Sequence, residues 1–259
     1  MPSAPINGID LYYEVSGPAD APAVVFLHGA GGNHLSWWQQ IPHFSQRYRC
    51  VAIDHRGFGR TPDPTGIGAA KFVDDVQALL DHLNLAQVAL VAQSMGGRTA
   101  LGFAVRHPER VRALVMADTW GFFDWPEQME RARVLREQTP GNNDPLWVRA
   151  VGPTFRAAEP ARAFLYQQIG GLNSPRPDTA NNDPAPPTVA QVAALKLPVL
   201  MVEGEEDELV HPALMEAFHA LVPGSEYATV PKAGHSVYFE NARQFNDLVG
   251  PFLARHLGG

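Results

Sequence analysis

Val91-Ala92-Gln93-Ser94-Met95-Gly96-Gly97 is the stretch on which the fold turns. An apolar run, Val88 to Ala92, leads into Ser94, and a segment of helical character, Met95 to Arg106, leads away from it. A serine at such a strand-to-helix junction sits on a sharp, strained turn with its hydroxyl projecting, which is the context of a nucleophile elbow. The positions two before and two after it must be small, because strand and helix pass close together there. Here they are Ala92 and Gly96. Ala92 departs from the usual G-x-S-x-G pattern by one methyl group, a mild steric change. The helix start behind Ser94 adds unpaired N–H groups and a positive dipole end. Taken alone, Ser-Met-Gly-Gly also fits an ordinary helix start.

Working outward, similar apolar runs recur at Val24 to Leu27, Cys50 to Ile53, Ala113 to Ala117, Val199 to Val202 and, more weakly, Tyr227 to Val230. Strands that are apolar on both faces belong to a sheet covered on both sides, hence to mainly parallel strands. Between them lie amphipathic segments. Phe72 to Leu83 carries Phe72, Val73, Val76, Leu79, Leu80 and Leu83 at close to a 3.6-residue period. Pro212 to Leu221 and Ala242 to Leu257 are further helices. Asn7-Gly8 marks a two-residue turn, so Ile6 to Val15 reads as a β-hairpin. This alternation predicts an α/β fold with a doubly wound sheet and right-handed crossovers.

Residues 119–190 break the rhythm. They hold no convincing strand but are rich in aromatic residues, and they predict helices over Pro126 to Gln138, Pro145 to Phe155 and Pro160 to Ile169. Asp124 and Asp144 are the expected N-caps. The Pro-, Asn- and Asp-rich Ser174 to Pro187 reads as a mobile linker. The expected organisation is a core of residues 1–118 and 191–259, with 119–190 a helical cap over a pocket. An ordinary peripheral helical layer is the alternative.

Two further strand ends carry chemistry. Gly204-Glu205-Glu206-Asp207-Glu208 follows Pro198 to Val202, and Ala233-Gly234-His235-Ser236 follows the last strand. Ser94, Asp207 and His235 therefore each lie just past the carboxyl end of an expected parallel strand, the edge where open α/β sheets bind ligands. A serine hydroxyl needs a base to become a useful nucleophile. Imidazole is suited to take that proton at neutral pH and return it to a leaving group, and a carboxylate holds the imidazole tautomer. Asp118 also ends a core strand and is the second candidate for the acid. Leu27-His28-Gly29-Ala30-Gly31-Gly32 follows the first core strand, and its backbone is unobstructed near Ala30. The N–H groups of Ala30 and Met95 are the expected oxyanion donors. A phosphate loop is disfavoured, since no G-x-x-x-x-G-K-[ST] string occurs.

Phe26-Leu27-His28-Gly29, Asp54-His55-Arg56-Gly57-Phe58-Gly59, Gln93-Ser94-Met95-Gly96-Gly97, Gly204-Glu205-Glu206-Asp207 and Gly234-His235 together resemble the α/β-hydrolase superfamily over nearly the whole chain. Small esterases and lactonases, 3-oxoadipate enol-lactonase-like proteins among them, and hydrolases that cut carbon–carbon bonds are the subgroups most similar in flavour. The resemblance implies an eight-stranded, mostly parallel sheet with helices on both faces and a cap after the sixth strand. It also implies that Asp54 to Gly59 is a structural loop. The expected reaction is hydrolysis of a carboxylic ester or lactone through an acyl-enzyme on Ser94. The alternatives are carbon–carbon hydrolysis of a vinylogous diketone, with Arg98 as a candidate carboxylate anchor, and a non-catalytic small-molecule receptor.

The remaining residues narrow the classes. A net charge of −7 disfavours nucleic acid as a partner. The single cysteine, Cys50, lies in an apolar run and reads as a core residue. No histidine spacing supports a metal, and no cofactor is expected. The N-terminus lacks a signal-peptide pattern and no apolar stretch is long enough to cross a membrane, so a soluble cytoplasmic protein is expected. His28 is expected to support the oxyanion loop. His55, His107 and His211 are expected on the surface or in loops, and His34 and His43 are weaker pocket candidates. Trp120 and Phe122 are the first choices for substrate contact, with Trp38 and Trp147 after them.

Overall fold

The structure is a computed structural model that describes residues 2–174 and 183–258. Eight strands form one sheet: β1 (Ser3–Ile6), β2 (Ile9–Ser16), β3 (Ala23–Leu27), β4 (Arg49–Ile53), β5 (Val88–Gln93), β6 (Val111–Ala117), β7 (Val199–Gly204) and β8 (Glu226–Val230). Their order is β1-β2-β4-β3-β5-β6-β7-β8. β1 and β2 form the expected hairpin, with Asn7 and Gly8 both at positive φ (43° and 78°). β2 joins β4 antiparallel, and every later pairing is parallel. The apolar runs end within two residues of the strands they predict.

The runs are apolar throughout because both faces are covered. Val25, Leu27, Leu90, Leu114 and Met201 face one side, against the helices Phe72–His82, Met95–Arg106 and Pro212–Leu221. Val24, Phe26, Val91, Val115 and Leu200 face the other, against the helix Ala242–Leu257. Phe103 and Phe218 on the first side and Phe245 and Phe252 on the second are buried, each contributing about 1.5–3 kcal/mol. Cys50 lies in the second layer, and burial pushes its thiol up to about 12. No helix among the described residues is long and apolar enough to cross a membrane.

Between β6 and β7 the described residues form helices and loops with no strand, and the helix boundaries depart from those expected. Pro126–Gln138 is as expected and Pro160–Gly171 runs slightly longer. The single helix expected over Pro145 to Phe155 is two short ones, Leu146–Arg149 and Pro153–Ala158. Pro153 has no N–H to donate and holds Gly152 extended (ψ 150°), which ends the first helix. Asp124 and Asp144 are not the caps: those positions are Trp125 and Pro145, with no side-chain bond. The Asp124 N–H instead donates to Pro187 O at 3.0 Å, tying the two ends of the insertion together. Of the expected linker, residues 175–182 lie outside the described residues. Its described end is anchored, with Asp183 buried and ion-paired to Arg106.

One buried acid makes stability depend on pH. Glu203 in β7 is fully buried, and its Oε2 accepts from Tyr227 Oη of β8 at 3.0 Å. Burial raises its carboxyl to about 8, above the ordinary 4.5. A raised acid favours the fold while protonated. Its contribution is complete below about pH 4.5 and is lost as pH rises through about 8. Thermal melts should show the midpoint gap between Glu203→Gln and wild type widening in the variant's favour by a few degrees from about pH 6 to about pH 9. Parallel pH profiles for the two proteins would contradict this.

Candidate active site

Ser94 occupies a backbone conformation rare for a side-chain-bearing residue, φ 49° and ψ −117°. Its N–H donates to Ala117 O of β6 at 3.1 Å, and its carbonyl accepts from Gly97 N at 2.8 Å, so β5, β6 and the helix Met95–Arg106 hold the turn from three sides. A Cβ on Gly96 would lie 2.2 Å from the Leu27 carbonyl oxygen, so glycine is required there. Ala92 is buried in the sheet core, and the turn forms with its methyl group present.

The structure brings Ser94, Asp207 and His235 together. His235 Nε2 lies 2.8 Å from Ser94 Oγ, and His235 Nδ1 lies 2.8 Å from Asp207 Oδ2. Asp207 Oδ1 accepts the N–H groups of Leu209 and Val210, each at 2.8 Å, which fixes the carboxylate's orientation. The residue before the serine takes part too: Gln93 Nε2 donates to the His235 carbonyl at 2.7 Å. With Asp207 accepting from Nδ1–H, the unprotonated Nε2 faces the serine, the tautomer a base requires.

Asp118 is elsewhere engaged. Its Oδ1 accepts from Gly204 N at 2.9 Å and its Oδ2 from Val237 N at 3.0 Å. Complete burial, followed by the nearby Asp207, pushes this carboxyl well above the usual carboxylate range. It joins the end of β7 to the residue two past His235, and the acid against the imidazole is Asp207.

The N–H groups of Ala30 and Met95 donate to no acceptor among the described residues. His28 is buried behind the Ala30 turn. Its Nε2 accepts from His55 N at 3.0 Å while Nδ1 lies 2.8 Å from Gly29 O, so it is a neutral imidazole donating to that carbonyl. Burial lowers its pKa. Beside Ala30 opens a cavity of about 350 Å³, and Phe58, Leu146, Trp147, Tyr166 and Asn173 also line it.

Of the expected pocket aromatics, Trp147 lines this cavity. Trp120 does not: it is packed in the core against Phe122 and Phe123. Phe122 borders a separate cavity of about 100 Å³ with Arg98, whose guanidinium lies over its ring. Trp38 is 43% exposed, edge-on to Phe239. His34 is buried with Nδ1 2.8 Å from Asp54 Oδ1, and His43 packs on Phe44, so neither lines the cavity. His55, expected on the surface or in a loop, lies in the loop after β4 but is buried and stacked on Phe72, and burial lowers its pKa strongly.

Sequence reasoning missed Tyr166 and Asn173. Tyr166 Oη accepts from Ser236 Oγ at 3.0 Å, next to His235. Asn173 Nδ2 donates to Gly32 O at 3.1 Å, and its Oδ1 accepts from Gly59 N at 2.9 Å, fastening the segment to two core loops. The one available signal was the helical spacing of Ala163, Tyr166 and Ile169, which marks a buried stripe without saying what it faces. No cluster of metal-ligating side chains occurs among the described residues.

The profile of the alpha/beta hydrolase fold matches residues 22–168. The chain belongs to the α/β-hydrolase family. Over 95% of its length, this α/β-hydrolase is 32% identical to a protein provisionally named 2-succinyl-6-hydroxy-2,4-cyclohexadiene-1-carboxylate synthase from Bacillus subtilis (strain 168), covering 96% of that protein. Half of the chain is 36% identical to 49% of 3-oxoadipate enol-lactonase 2 from Acinetobacter baylyi. Among solved structures, the α/β-hydrolase superposes on Est816, described as an N-acyl homoserine lactone degrading enzyme. The TM-score is 0.81 with 27% identity, covering 97% of this chain and 100% of that one.

Proposed function

We propose that this α/β-hydrolase cleaves a carboxylic ester or lactone through an acyl-enzyme on Ser94. The observation that carries the proposal is the unbroken contact from Ser94 Oγ to His235 Nε2 and from His235 Nδ1 to Asp207 Oδ2, each at 2.8 Å. The substrate carbonyl lies beside Ala30. Ser94 Oγ attacks the carbonyl carbon as its proton passes to His235 Nε2. The developing oxyanion takes hydrogen bonds from Ala30 N and Met95 N, and Asp207 stabilises the imidazolium. The intermediate collapses, the ester C–O bond breaks, and His235 returns the proton to the leaving oxygen. Water then repeats the sequence on the acyl-enzyme, releasing the acid and restoring Ser94.

In this reading residues 119–190 serve as the cap over the core of residues 1–118 and 191–259. Trp147, Leu146 and Tyr166 then shape the space for the substrate. The cavity's described lining carries no charged side chain, which favours a neutral ester or lactone over a carboxylate-bearing substrate. Carbon–carbon hydrolysis of a dienoate needs a carboxylate anchor, and Arg98 borders the other cavity.

The deciding experiment is a panel of p-nitrophenyl esters, lactones and a ring-cleavage dienoate, together with mass-spectrometric detection of a fluorophosphonate adduct on Ser94. Turnover of an ester or lactone, with one adduct per chain on Ser94, is expected. Turnover of the dienoate alone would transfer the site to the carbon–carbon reaction. Tight binding without turnover would make the protein a receptor.

A further inference from the structure

Glu240 is a buried acid that the proposed chemistry does not use. It closes the short helix Val237–Glu240, directly after the His235 loop, and is 7% exposed. Its carboxylate accepts three backbone N–H groups. Oε2 takes Gly234 N at 2.8 Å and Gly152 N at 2.9 Å, and Oε1 takes Ser236 N at 3.1 Å. Gly234 and Ser236 are the two neighbours of His235 in the chain, so one side chain holds the histidine loop from both sides. Gly152 belongs to a different unit of the fold, the segment between β6 and β7, and starts the helix Pro153–Ala158.

Two other observations place these parts in direct contact. A Cβ on Gly234 would lie 2.3 Å from Gly152 N, and a Cβ on Gly152 would lie 2.8 Å from Gly234 N, so the two backbones touch where no side chain fits. From the acid loop, Glu206 Oε2 accepts from Thr154 N at 3.0 Å and Oε1 accepts from Thr154 Oγ1 at 2.5 Å. The inserted segment is thereby fastened at adjacent points to the loops that carry Asp207 and His235. Burial pushes the Glu240 carboxyl up to about 7 against the three N–H bonds that pull it down. Retaining an acid here is costly unless those bonds are needed.

We propose that Glu240 is a positioning residue that makes the placement of His235 depend on the docking of the Gly152–Ala158 segment. When the segment is seated, Gly152 N completes the set of donors around the carboxylate, and the carboxylate in turn holds Gly234 and Ser236. When the segment lifts, Oε2 loses one donor and the glycine–glycine contact opens, so the loop that aims His235 Nε2 at Ser94 loses its support on one side. The base is then best aimed while residues 150–158 are closed over the site. The inference rests on the hydrolase reading for the consequence to turnover but not for the coupling itself.

The test is backbone hydrogen exchange followed by mass spectrometry on wild type, Glu240→Gln and Glu206→Ala. Glu240→Gln is isosteric but has one acceptor oxygen. It should speed exchange in residues 150–158 and 233–237 together by about tenfold. It should also lower kcat by about tenfold with KM little changed, since an off-aim base weakens the transition state more than binding. Glu206→Ala removes only exposed contacts to Thr154, so it tests the coupling even where the buried substitution disturbs folding. It should speed exchange at 233–237 as well as at 150–158. Wild-type exchange at 233–237 in Glu206→Ala overturns the proposal, whatever happens at 150–158. So does a Glu240→Gln enzyme with unchanged kcat. Exchange reads the coupling without turnover, whereas fluorophosphonate labelling of wild-type Ser94 reads the hydrolase assignment. The two failures are therefore distinct.

Discussion

Ser94→Ala is expected to lower turnover of the best ester or lactone by at least about a thousandfold and to abolish the fluorophosphonate adduct. The size of the effect follows from the geometry. Among the described residues, Ser94 Oγ, 2.8 Å away, is the hydroxyl within bonding distance of His235 Nε2. On the proposed mechanism, what would remain in the variant is the pair of backbone donors and the cavity, which would bind substrate and stabilise charge but supply no nucleophile. The fold should survive. Alanine accepts the same strained backbone as serine, and Ser94 N, which ties the turn to Ala117, is untouched. The measurement is kcat/KM for both proteins, with melting midpoints alongside. Loss of less than about tenfold in a protein that melts like wild type would remove Ser94 from the mechanism.

Asp207→Asn should cost about a thousandfold to ten-thousandfold in kcat, as expected for a triad acid whose amide replacement favours the wrong imidazole tautomer. Asp118→Asn should act differently. Asp118 touches neither Ser94 nor the imidazole. It accepts Gly204 N and Val237 N, and an amide retains one of those two acceptors. The expected result is a lower melting midpoint, by roughly 1–3 kcal/mol of lost stability, and a kcat within about tenfold of wild type. Side-by-side kinetics and thermal melts on the two variants check this. Were Asp118→Asn to silence the enzyme while Asp207→Asn left it active, the acid would have been assigned to the wrong strand.

The contrast between these two acids marks how far the chain could be read without coordinates. Both follow an apolar strand, both are aspartates, and each end of strand faces the same rim. Strand position is a local property, set by runs of residues apolar on both faces. The direction of a side chain past the strand end depends on the loop that follows. Asp207 turns onto Leu209 N and Val210 N and meets His235. Asp118, held at φ 52°, turns toward β7 and the backbone beyond the histidine.

The aromatic residues show the same division. Trp120 and Trp147 carry the same apolar area and lie in the same insertion, but one is sealed in the sheet core and the other lines the cavity. Composition marks both rings only as apolar, and the docking of the helices decides that Trp120 is sealed in while Trp147 stays 36% exposed at the cavity. Glu240 was invisible for a related reason. Its partners are backbone N–H groups at Gly152, Gly234 and Ser236, and peptide groups leave no mark in a sequence.

The sequence by itself determined the order of strands and helices, the covered sheet and the three strand ends that carry Ser94, Asp207 and His235, because periodicity and turn chemistry act over a few residues. The tertiary structure alone decided which acid meets the imidazole, which rings line the cavity and that one buried carboxylate ties the histidine loop to the inserted segment. Those outcomes depend on where groups separated by many tens of residues converge, and that is a property of packing.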